Sequence, residues 1–189
     1  MREYIQSKTF ENSNFTEIAL EAADYEDCTF LRCEFSGADL GNVTFIECRF
    51  SGCNLSNAKT DSSSFRDVHF SGCKLTGLDF SVSNSSMISF SFEDCILDYV
   101  SFARLHLKKT TFKNCSLLHA FFEDADLSSS VFSRCNLENA AFGKTNLEKT
   151  DFSTSYNYII DPENNRIKKA KFGSSGLSGL LTKYDIVIE

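Results

Sequence analysis

Eight cysteines and three histidines are the side chains of this 189-residue sequence that could bind a metal ion or form disulfides. No Cys-x-x-Cys pair is present, and His69, His106 and His119 do not have the spacing of zinc ligands. Each cysteine instead lies two residues before a large apolar residue, where other segments carry Ala, Val or Ser. We interpret these cysteines as small buried hydrophobic residues, and reduced thiols of this kind favour a cytoplasmic protein. The cysteines are Cys28, Cys33, Cys48, Cys53, Cys73, Cys95, Cys115 and Cys135.

Catalytic motifs are missing from the sequence. It contains no Gly-x-Ser-x-Gly, His-Glu-x-x-His or Walker A segment, and no Cys/His pair arranged for nucleophilic attack. Residues 173–179 (Gly-Ser-Ser-Gly-Leu-Ser-Gly) are rich in glycine, but they lack the strand-then-helix context and the Lys-Ser/Thr ending of a phosphate loop. The sequence therefore predicts a protein that is not an enzyme, with no catalytic residue, metal or cofactor.

The element that positions these residues is a repeat of five. From Phe92 to Phe152 every fifth residue is Phe or Leu, and the two types alternate without exception. An earlier run from Phe10 to Phe80 carries Phe, Leu or Tyr at every fifth position except Thr60. Because helices repeat every 3.6 residues and strands every 2, a period of five requires a turn at every fifth residue. Such internal repetition is typical of a solenoid.

The cysteines indicate the length of one solenoid turn. Cys33, Cys53 and Cys73 recur at every fourth five-residue unit, and the three cysteines that follow Cys73 have the same spacing. Similar side chains tend to stack between neighbouring coils, so we infer coils of four five-residue faces. Coils stacked at ~4.8 Å predict a rod roughly 35 Å long. The predicted phenylalanine stacks are Phe92, Phe112, Phe132 and Phe152 on one side, and Phe102, Phe122 and Phe142 on the opposite side.

Several segments resemble the A-(D/N)-L-x-x unit of pentapeptide-repeat proteins, among them Ala38-Asp-Leu-Gly-Asn, Ala125-Asp-Leu-Ser-Ser and Cys135-Asn-Leu-Glu-Asn. The resemblance covers roughly residues 8–155. It implies an all-β fold, a right-handed quadrilateral β-helix in which the small residue and the Leu or Phe of each unit point inward. It also implies a C-terminal helix and strand that close the coil and pair two copies tail to tail.

Two regions follow from this assignment. Residues 1–155 are predicted to form the β-helix, with a phase break near 81–91 that is either a bulge or a protruding recognition loop. Residues 156–189 are predicted to contain a loop with the one proline, the last repeats, a capping helix over 177–183 and a dimerisation strand over 184–188. The predicted homodimer interface consists of Leu177, Leu180, Leu181, Ile186 and Ile188.

Charge and hydropathy restrict the classes of partner. The net charge of −7 argues against direct binding to nucleic acid, because a protein needs cations to neutralise phosphates. No stretch approaches 18 apolar residues, so neither a membrane span nor a secretory leader is indicated.

Two surface features are candidate partner-binding sites. The first is an acidic strip on one face of the predicted rod, which is either a solvated surface or an anionic binding site. The second is a set of apolar residues at outward positions, a pattern that tends to mark contact sites. The acidic strip consists of Asp24, Glu26, Asp27, Glu47 and Asp67, and the apolar patch consists of Ile96, Tyr99, Leu118 and Phe121.

Two functional hypotheses follow for this interaction protein. Some pentapeptide-repeat proteins with a C-terminal dimer imitate DNA, bind a type II topoisomerase (gyrase) and confer quinolone resistance, and the resemblance implies this role for the acidic strip. The alternative is a scaffold or adaptor that binds another protein through the apolar patch. Salt dependence separates them, because charge-dependent binding weakens steeply as salt rises.

Overall fold

The computed structural model describes residues 2–86 and 88–187, which form a right-handed quadrilateral β-helix of about eight turns. The thirteen strands of the described residues are short and pair in parallel. They are β1 (Tyr4–Gln6), β2 (Thr9–Glu11), β3 (Asp24–Glu26), β4 (Thr29–Leu31), β5 (Thr44–Ile46), β6 (Arg49–Ser51), β7 (Ser64–Arg66), β8 (Val68–Ser71), β9 (Phe90–Glu93), β10 (Thr111–Lys113), β11 (Val131–Ser133), β12 (Asp151–Phe152) and β13 (Lys171–Phe172).

Four inward columns define four faces, numbered in chain order along a coil. Successive members of a column are four five-residue units apart, except across the insertion, where the steps from Phe70 to Phe92, from Leu75 to Leu97 and from Phe80 to Phe102 are two residues longer. On face 4 the position between Phe65 and Leu107 falls on residue 87, outside the described residues. The inward residues of face 1 are Phe10, Phe30, Phe50, Phe70, Phe92, Phe112, Phe132, Phe152 and Phe172, and those of face 2 are Phe15, Phe35, Leu55, Leu75, Leu97, Leu117 and Leu137. The inward residues of face 3 are Leu20, Leu40, Thr60, Phe80, Phe102, Phe122 and Phe142. The inward residues of face 4 are Ile5, Tyr25, Phe45, Phe65, Leu107, Leu127, Leu147 and Ile167.

The nine phenylalanines of face 1 form one continuous column. Neighbouring rings are nearly parallel, with centroids between 4.6 Å (Phe112 and Phe132) and 5.5 Å (Phe152 and Phe172). The predicted stacks on faces 1 and 3 are therefore confirmed. The column also crosses the phase break, because Phe70 and Phe92 stack at 5.2 Å.

The period of five originates at the corners. The last residue of most five-residue units adopts a left-handed backbone conformation, for example Asp27 (φ 49°), Asn114 (φ 53°) and Lys149 (φ 60°). This conformation turns the chain onto the next face, and Asn and Asp adopt it more readily than most residues.

The phase break is a two-residue insertion on face 4. Its backbone stays attached to the preceding coil, because the Asn84 N–H donates to the Ser63 carbonyl (2.7 Å) and the Ser89 N–H donates to the Phe65 carbonyl (3.1 Å). Ile88 and Phe90 are buried against the aromatic core. A 3-10 helix, Phe80–Val82, starts the insertion. The described part of the break is thus a bulge packed on the rod.

The small inward position two residues before each centre is a hydrogen-bonding site. Its thiol or hydroxyl donates to the backbone carbonyl of the previous coil, as in Cys53 to Phe30 (3.2 Å) and Ser130 to Leu107 (2.7 Å). The interpretation of cysteine as a hydrophobe was therefore incomplete, because the position also favours a donor. All eight cysteines are free and buried, and burial raises the pKa of the Cys48 thiol to about 12.

The C-terminal cap is helical in the region of the predicted capping helix over 177–183, with different bounds. It consists of two 3-10 helices, Ser174–Leu180 and Thr182–Tyr184. The 3-10 geometry follows from glycine at every third residue, since three residues make one turn and Gly176 and Gly179 lie on the same side. A Cβ at either glycine would collide with Tyr158, so glycine is required for the cap to dock on the last coil.

The predicted strand over 184–188 was wrong for residues 184–187, which contain no strand. Tyr184 ends a 3-10 helix, its hydroxyl donates to Glu163 (2.9 Å), and Asp185 turns the chain in a left-handed conformation (φ 50°). A strand needs an extended backbone beside a partner strand, and these contacts hold the segment in a different path. Ile188 lies outside the described residues. No helix of the described residues is long and apolar enough to cross a membrane.

Candidate interaction surfaces

The structure places Asp27, Glu47 and Asp67 at one corner, where face 4 meets face 1. Backbone hydrogen bonds fix the register: the Asp27 N–H donates to the Ile46 carbonyl (2.9 Å), and the Glu47 N–H donates to the Arg66 carbonyl (2.8 Å). The three carboxylates are therefore one coil apart, at a spacing of ~4.8 Å along the rod. Asp24 and Glu26 lie on strand β3 of the same face.

Two arginines neutralise part of the negative charge of this acidic strip, and a tyrosine hydroxyl donates a hydrogen bond to it. Arg2 forms an ion pair with Asp24 (3.0 Å), and Arg49 forms one with Asp27 (3.6 Å). The Tyr4 hydroxyl donates to Glu26 (2.5 Å), which raises the pKa of Tyr4. Both ion pairs are solvent-exposed, so each contributes at most about 1 kcal/mol and leaves the strip accessible to a partner.

The same corner becomes basic after the insertion. The column that starts at Asp27 continues through Ser89, since Val68 pairs with Phe90, and then through Lys109, Ser129, Lys149 and Lys169. This change of sign was not predicted, because the spacing of five aligns outward residues only within each of the two runs of repeats. Adding two residues to the step between coils at the insertion would have aligned the outward columns of the first run with those of the second.

The apolar patch is exposed along the corner between faces 2 and 3. Relative exposure is 43% for Ile96, 53% for Tyr99 and 42% for Phe121, whereas Leu118 is half-buried. The Tyr99 ring stacks on the His119 imidazole in the next coil, with centroids 4.8 Å apart. The structure therefore brings the four predicted residues together and adds His119 to them.

The tail residues of the predicted dimer interface are mostly exposed. Leu177, Leu181 and Ile186 are exposed, while Leu180 packs against the core. Beside this tail lies a polar cleft of about 560 Å³ between Glu138, Tyr156, Tyr158 and the first 3-10 helix of the cap.

Within residues 2–86 and 88–187, no group of three or more His, Cys, Asp or Glu side chains could hold a metal ion. One Ser/His contact joins His69 Nδ1 to Ser91 Oγ on neighbouring coils of face 1. It lies on the outside of a sheet, away from the clefts, and sequence spacing did not reveal it because the two residues are on opposite sides of the insertion.

Comparisons with known proteins agree with this architecture. Two trypsin-treated forms of QnrB1, a plasmid-mediated fluoroquinolone resistance protein, have a TM-score of 0.64 and 21% identity, over 100% of this chain and 99% of theirs. HetL, a pentapeptide repeat protein involved in heterocyst differentiation regulation from the cyanobacterium Nostoc sp. strain PCC 7120, has a TM-score of 0.50 and 14% identity, over 91% of this chain and 86% of that chain. At these identities the likeness concerns the fold alone. A sequence search of curated proteins finds no match.

The sequence profile of the pentapeptide repeat region matches this chain in three overlapping segments, residues 23–91, 43–122 and 85–172. Together these segments cover most of the chain, and they coincide with the stacked coils and left-handed corners described above. The chain therefore belongs to the pentapeptide-repeat family.

Proposed function

We propose that this protein is a non-catalytic cytoplasmic rod that binds a type II topoisomerase such as gyrase and so changes quinolone sensitivity. The observation that carries the proposal is the acidic strip at the corner of faces 4 and 1. Regularly spaced carboxylates on a rigid rod present the partner with a line of negative charge, as a DNA strand does with its phosphates. A cationic DNA-binding surface is the kind of partner that such a strip attracts.

Two further observations support this proposal. Residues 1–60 contain ten acids and five bases, so the N-terminal third carries most of the net negative charge. QnrB1, a fluoroquinolone resistance protein, has the same fold along the whole chain. The exposed ion pairs at Asp24 and Asp27 can open when a cationic partner arrives, because each is weak.

The test is a gyrase supercoiling and quinolone-cleavage assay with the purified protein and with the Asp27/Glu47/Asp67→Lys variant. We expect the wild-type protein to inhibit supercoiling or protect the enzyme from the drug, and the variant to lose the effect. A matched control, Glu93/Asp124/Glu138→Lys, changes the net charge equally on other parts of the surface. Equal loss in both variants, or no effect of the wild-type protein at micromolar concentration, would reject the acidic strip as the binding site.

A second candidate function is that of an adaptor that binds a protein through the apolar patch. The exposure of Tyr99 and Phe121 beside Ile96 supports it, since contiguous exposed apolar groups tend to mark interfaces. The Tyr99/Phe121→Ser variant should then lose a partner whose binding persists at high salt, while the Asp27/Glu47/Asp67→Lys variant retains it. The reverse pattern would favour the topoisomerase proposal.

We also propose that two copies pair through the C-terminal tail. The exposed side chains of Leu177, Leu181 and Ile186 support an isologous interface, because burying them against a second copy removes apolar surface from water. Light scattering during size-exclusion chromatography should give twice the 21.2 kDa chain mass. The Leu177/Leu181→Glu variant should give the monomer mass with an unchanged circular dichroism spectrum, and a monomeric wild-type protein would reject the interface.

A further inference from the structure

Face 4 and its two corners carry opposite charge in the two halves of the rod. Before the insertion, residues 22–27, 42–47 and 62–67 contain five acids and one base. After it, residues 104–109, 124–129, 144–149 and 164–169 contain eight bases and three acids. We call this second region the basic half-face. Its local charge of +5 (eight minus three) contrasts with the net charge of −7 for the whole chain.

Several cations of the basic half-face have no anionic partner in the described structure. Two of its three acids are already paired, Asp126 with Lys108 (3.4 Å) and Glu148 with Arg166 (2.8 Å). The lysines that form no ion pair with any described residue are Lys109, Lys144, Lys149, Lys168 and Lys169, all exposed.

Backbone preference does not account for these lysines. Lys109, Lys149 and Lys169 occupy the left-handed corner position with φ of 61°, 60° and 60°. Asn, Asp and Gly adopt this conformation more readily than Lys does. Lys149 and Lys169 also lie in neighbouring coils, where like charges repel each other. An anion bound between them would relieve that repulsion.

The acidic half of the face does not cancel this charge at physiological salt. Lys149 is five coils away from Glu47 in the same column, which is roughly 24 Å at ~4.8 Å per coil. Lys109 is the lysine nearest to the acidic strip, two coils from Asp67 or roughly 10 Å. The screening length is about 10 Å at 0.1 M salt, so Lys149 and Lys169 act independently of the acidic strip, while Lys109 lies at the limit of its influence. The argument from net charge against nucleic acid therefore does not extend to this surface.

We propose that the basic half-face binds the phosphate backbone of duplex DNA. Lys109, Lys149 and Lys169 lie in one column along the rod, with Ser129 between the first two, and a regular linear polyanion matches such a column better than an irregular acidic segment of a protein does. Lysine acts as a point charge toward phosphate and reads no base sequence. Single-stranded nucleic acid would need aromatic side chains for base stacking. The exposed Phe and Tyr rings of the described residues lie outside the basic half-face: Tyr99, Phe121 and Tyr156 on faces 2 and 3, Tyr4 on face 4 before the insertion, and Tyr184 in the cap.

The experiment is a fluorescence anisotropy titration of a labelled duplex of about 24 base pairs with the full-length protein at 50 and 200 mM salt. With four of the five unpaired lysines on phosphates, the affinity should fall roughly 100-fold between these salt concentrations. The Lys109/Lys149/Lys169→Gln variant should bind at least about tenfold more weakly at 50 mM, since each lost lysine removes a phosphate contact.

The matched control is Lys59/Lys74/Arg134→Gln, which removes the same charge from exposed positions on other faces. It should change the affinity less than about twofold, because these bases lie away from the proposed contact. Equal losses in the two variants, no binding at 50 mM salt, or tighter binding to polyglutamate than to the duplex would each overturn the proposal. Circular dichroism checks that both variants fold. No topoisomerase is present, so failure here leaves the proposed function untouched.

Discussion

The two halves of face 4 follow the same coil geometry but differ in their inward and outward side chains. Before the insertion, strands β1, β3, β5 and β7 form a four-stranded sheet over Tyr25, Phe45 and Phe65. After it, the coils meet through single bridges such as Asp126 with Asn146, over an inward column of leucines. The inward residues must fill the rod, whereas the outward residues make no core contact. The outward charge is consequently free to differ from one half to the other.

Face 1 provides the opposite case. Its phenylalanine column continues through the insertion without a gap, so both halves depend on the same kind of stacking. The insertion therefore separates the halves on face 4 only. The two halves can therefore be compared directly, because they have the same phenylalanine column on face 1 and differ in charge on face 4.

The largest expected effect tests the shared face. Phe50→Ala and Phe112→Ala should each lower the free energy of unfolding by about 3–5 kcal/mol, because both rings are buried between stacked neighbours and truncation leaves a cavity. Urea denaturation measures the loss, and the exposed Thr111→Ala is the control, with an expected change within about 0.5 kcal/mol. A loss under about 1 kcal/mol in one half would contradict the equivalence of the halves.

A second prediction concerns the N-terminal half at alkaline pH. Burial raises the pKa of Cys48 and of Tyr25 to about 12 each, so the folded protein keeps these protons longer than the unfolded chain does. Stability should be complete below about pH 8.5 and should fall as pH rises toward 12, because the unfolded cysteine ionises first.

Cys48 alone should account for roughly 2–3 kcal/mol lost by pH 10.5. Urea denaturation at pH 8 and pH 10.5 in the presence of a reductant gives the value. The Cys48→Ser variant should lose less over this range, since serine does not ionise there. An identical pH dependence in the two proteins would show that the thiol does not contribute.

A smaller effect should distinguish the donor position from a purely hydrophobic one. Cys135→Ser should change stability by less than about 1 kcal/mol, because Ser155 holds the next place in the column and donates to the Phe132 carbonyl (2.8 Å). Cys135→Val removes the thiol that donates to the Phe112 carbonyl (3.5 Å), and it should cost about 1–3 kcal/mol because that interaction is lost and the position is overfilled. Thermal melting compares the two, and a more stable valine variant would contradict the donor role.

The smallest expected effect concerns the corner between faces 4 and 1, where Lys149 and Asp27 occupy equivalent positions in the two halves. Lys149→Asn should stabilise the fold by about 0.5–1 kcal/mol, since asparagine tolerates the left-handed conformation and the repulsion with Lys169 disappears. Asp27→Asn should change stability by less than about 0.5 kcal/mol, because aspartate already suits its corner. Melting temperatures at low salt test both, and equal shifts would mean that the basic corner carries no conformational cost.

The sequence predicted most of the core of this fold. Every inward phenylalanine from Phe92 to Phe152 lies where the period of five placed it, and the coil of four five-residue units was read from the cysteines. The structure places the acidic and apolar groups at outward positions, and their use as binding sites stays a prediction. The C-terminal cap was less predictable. Its 3-10 geometry depends on contacts of Gly176 and Gly179 with Tyr158, a residue that the five-residue repeat does not relate to either glycine.

The period, the coil length and the inward columns can be read from the amino-acid sequence alone, because a side chain that fills a repeating interior must recur with that interior. How the two runs of repeats join depends on backbone pairing in the folded chain. The insertion lengthens one step between coils by two residues, and hydrogen bonding between Val68 and Ser89 (3.1 Å) sets the register across it. That register places Asp67 and Lys109 in one column, since outward residues are aligned by backbone pairing rather than by their own pattern.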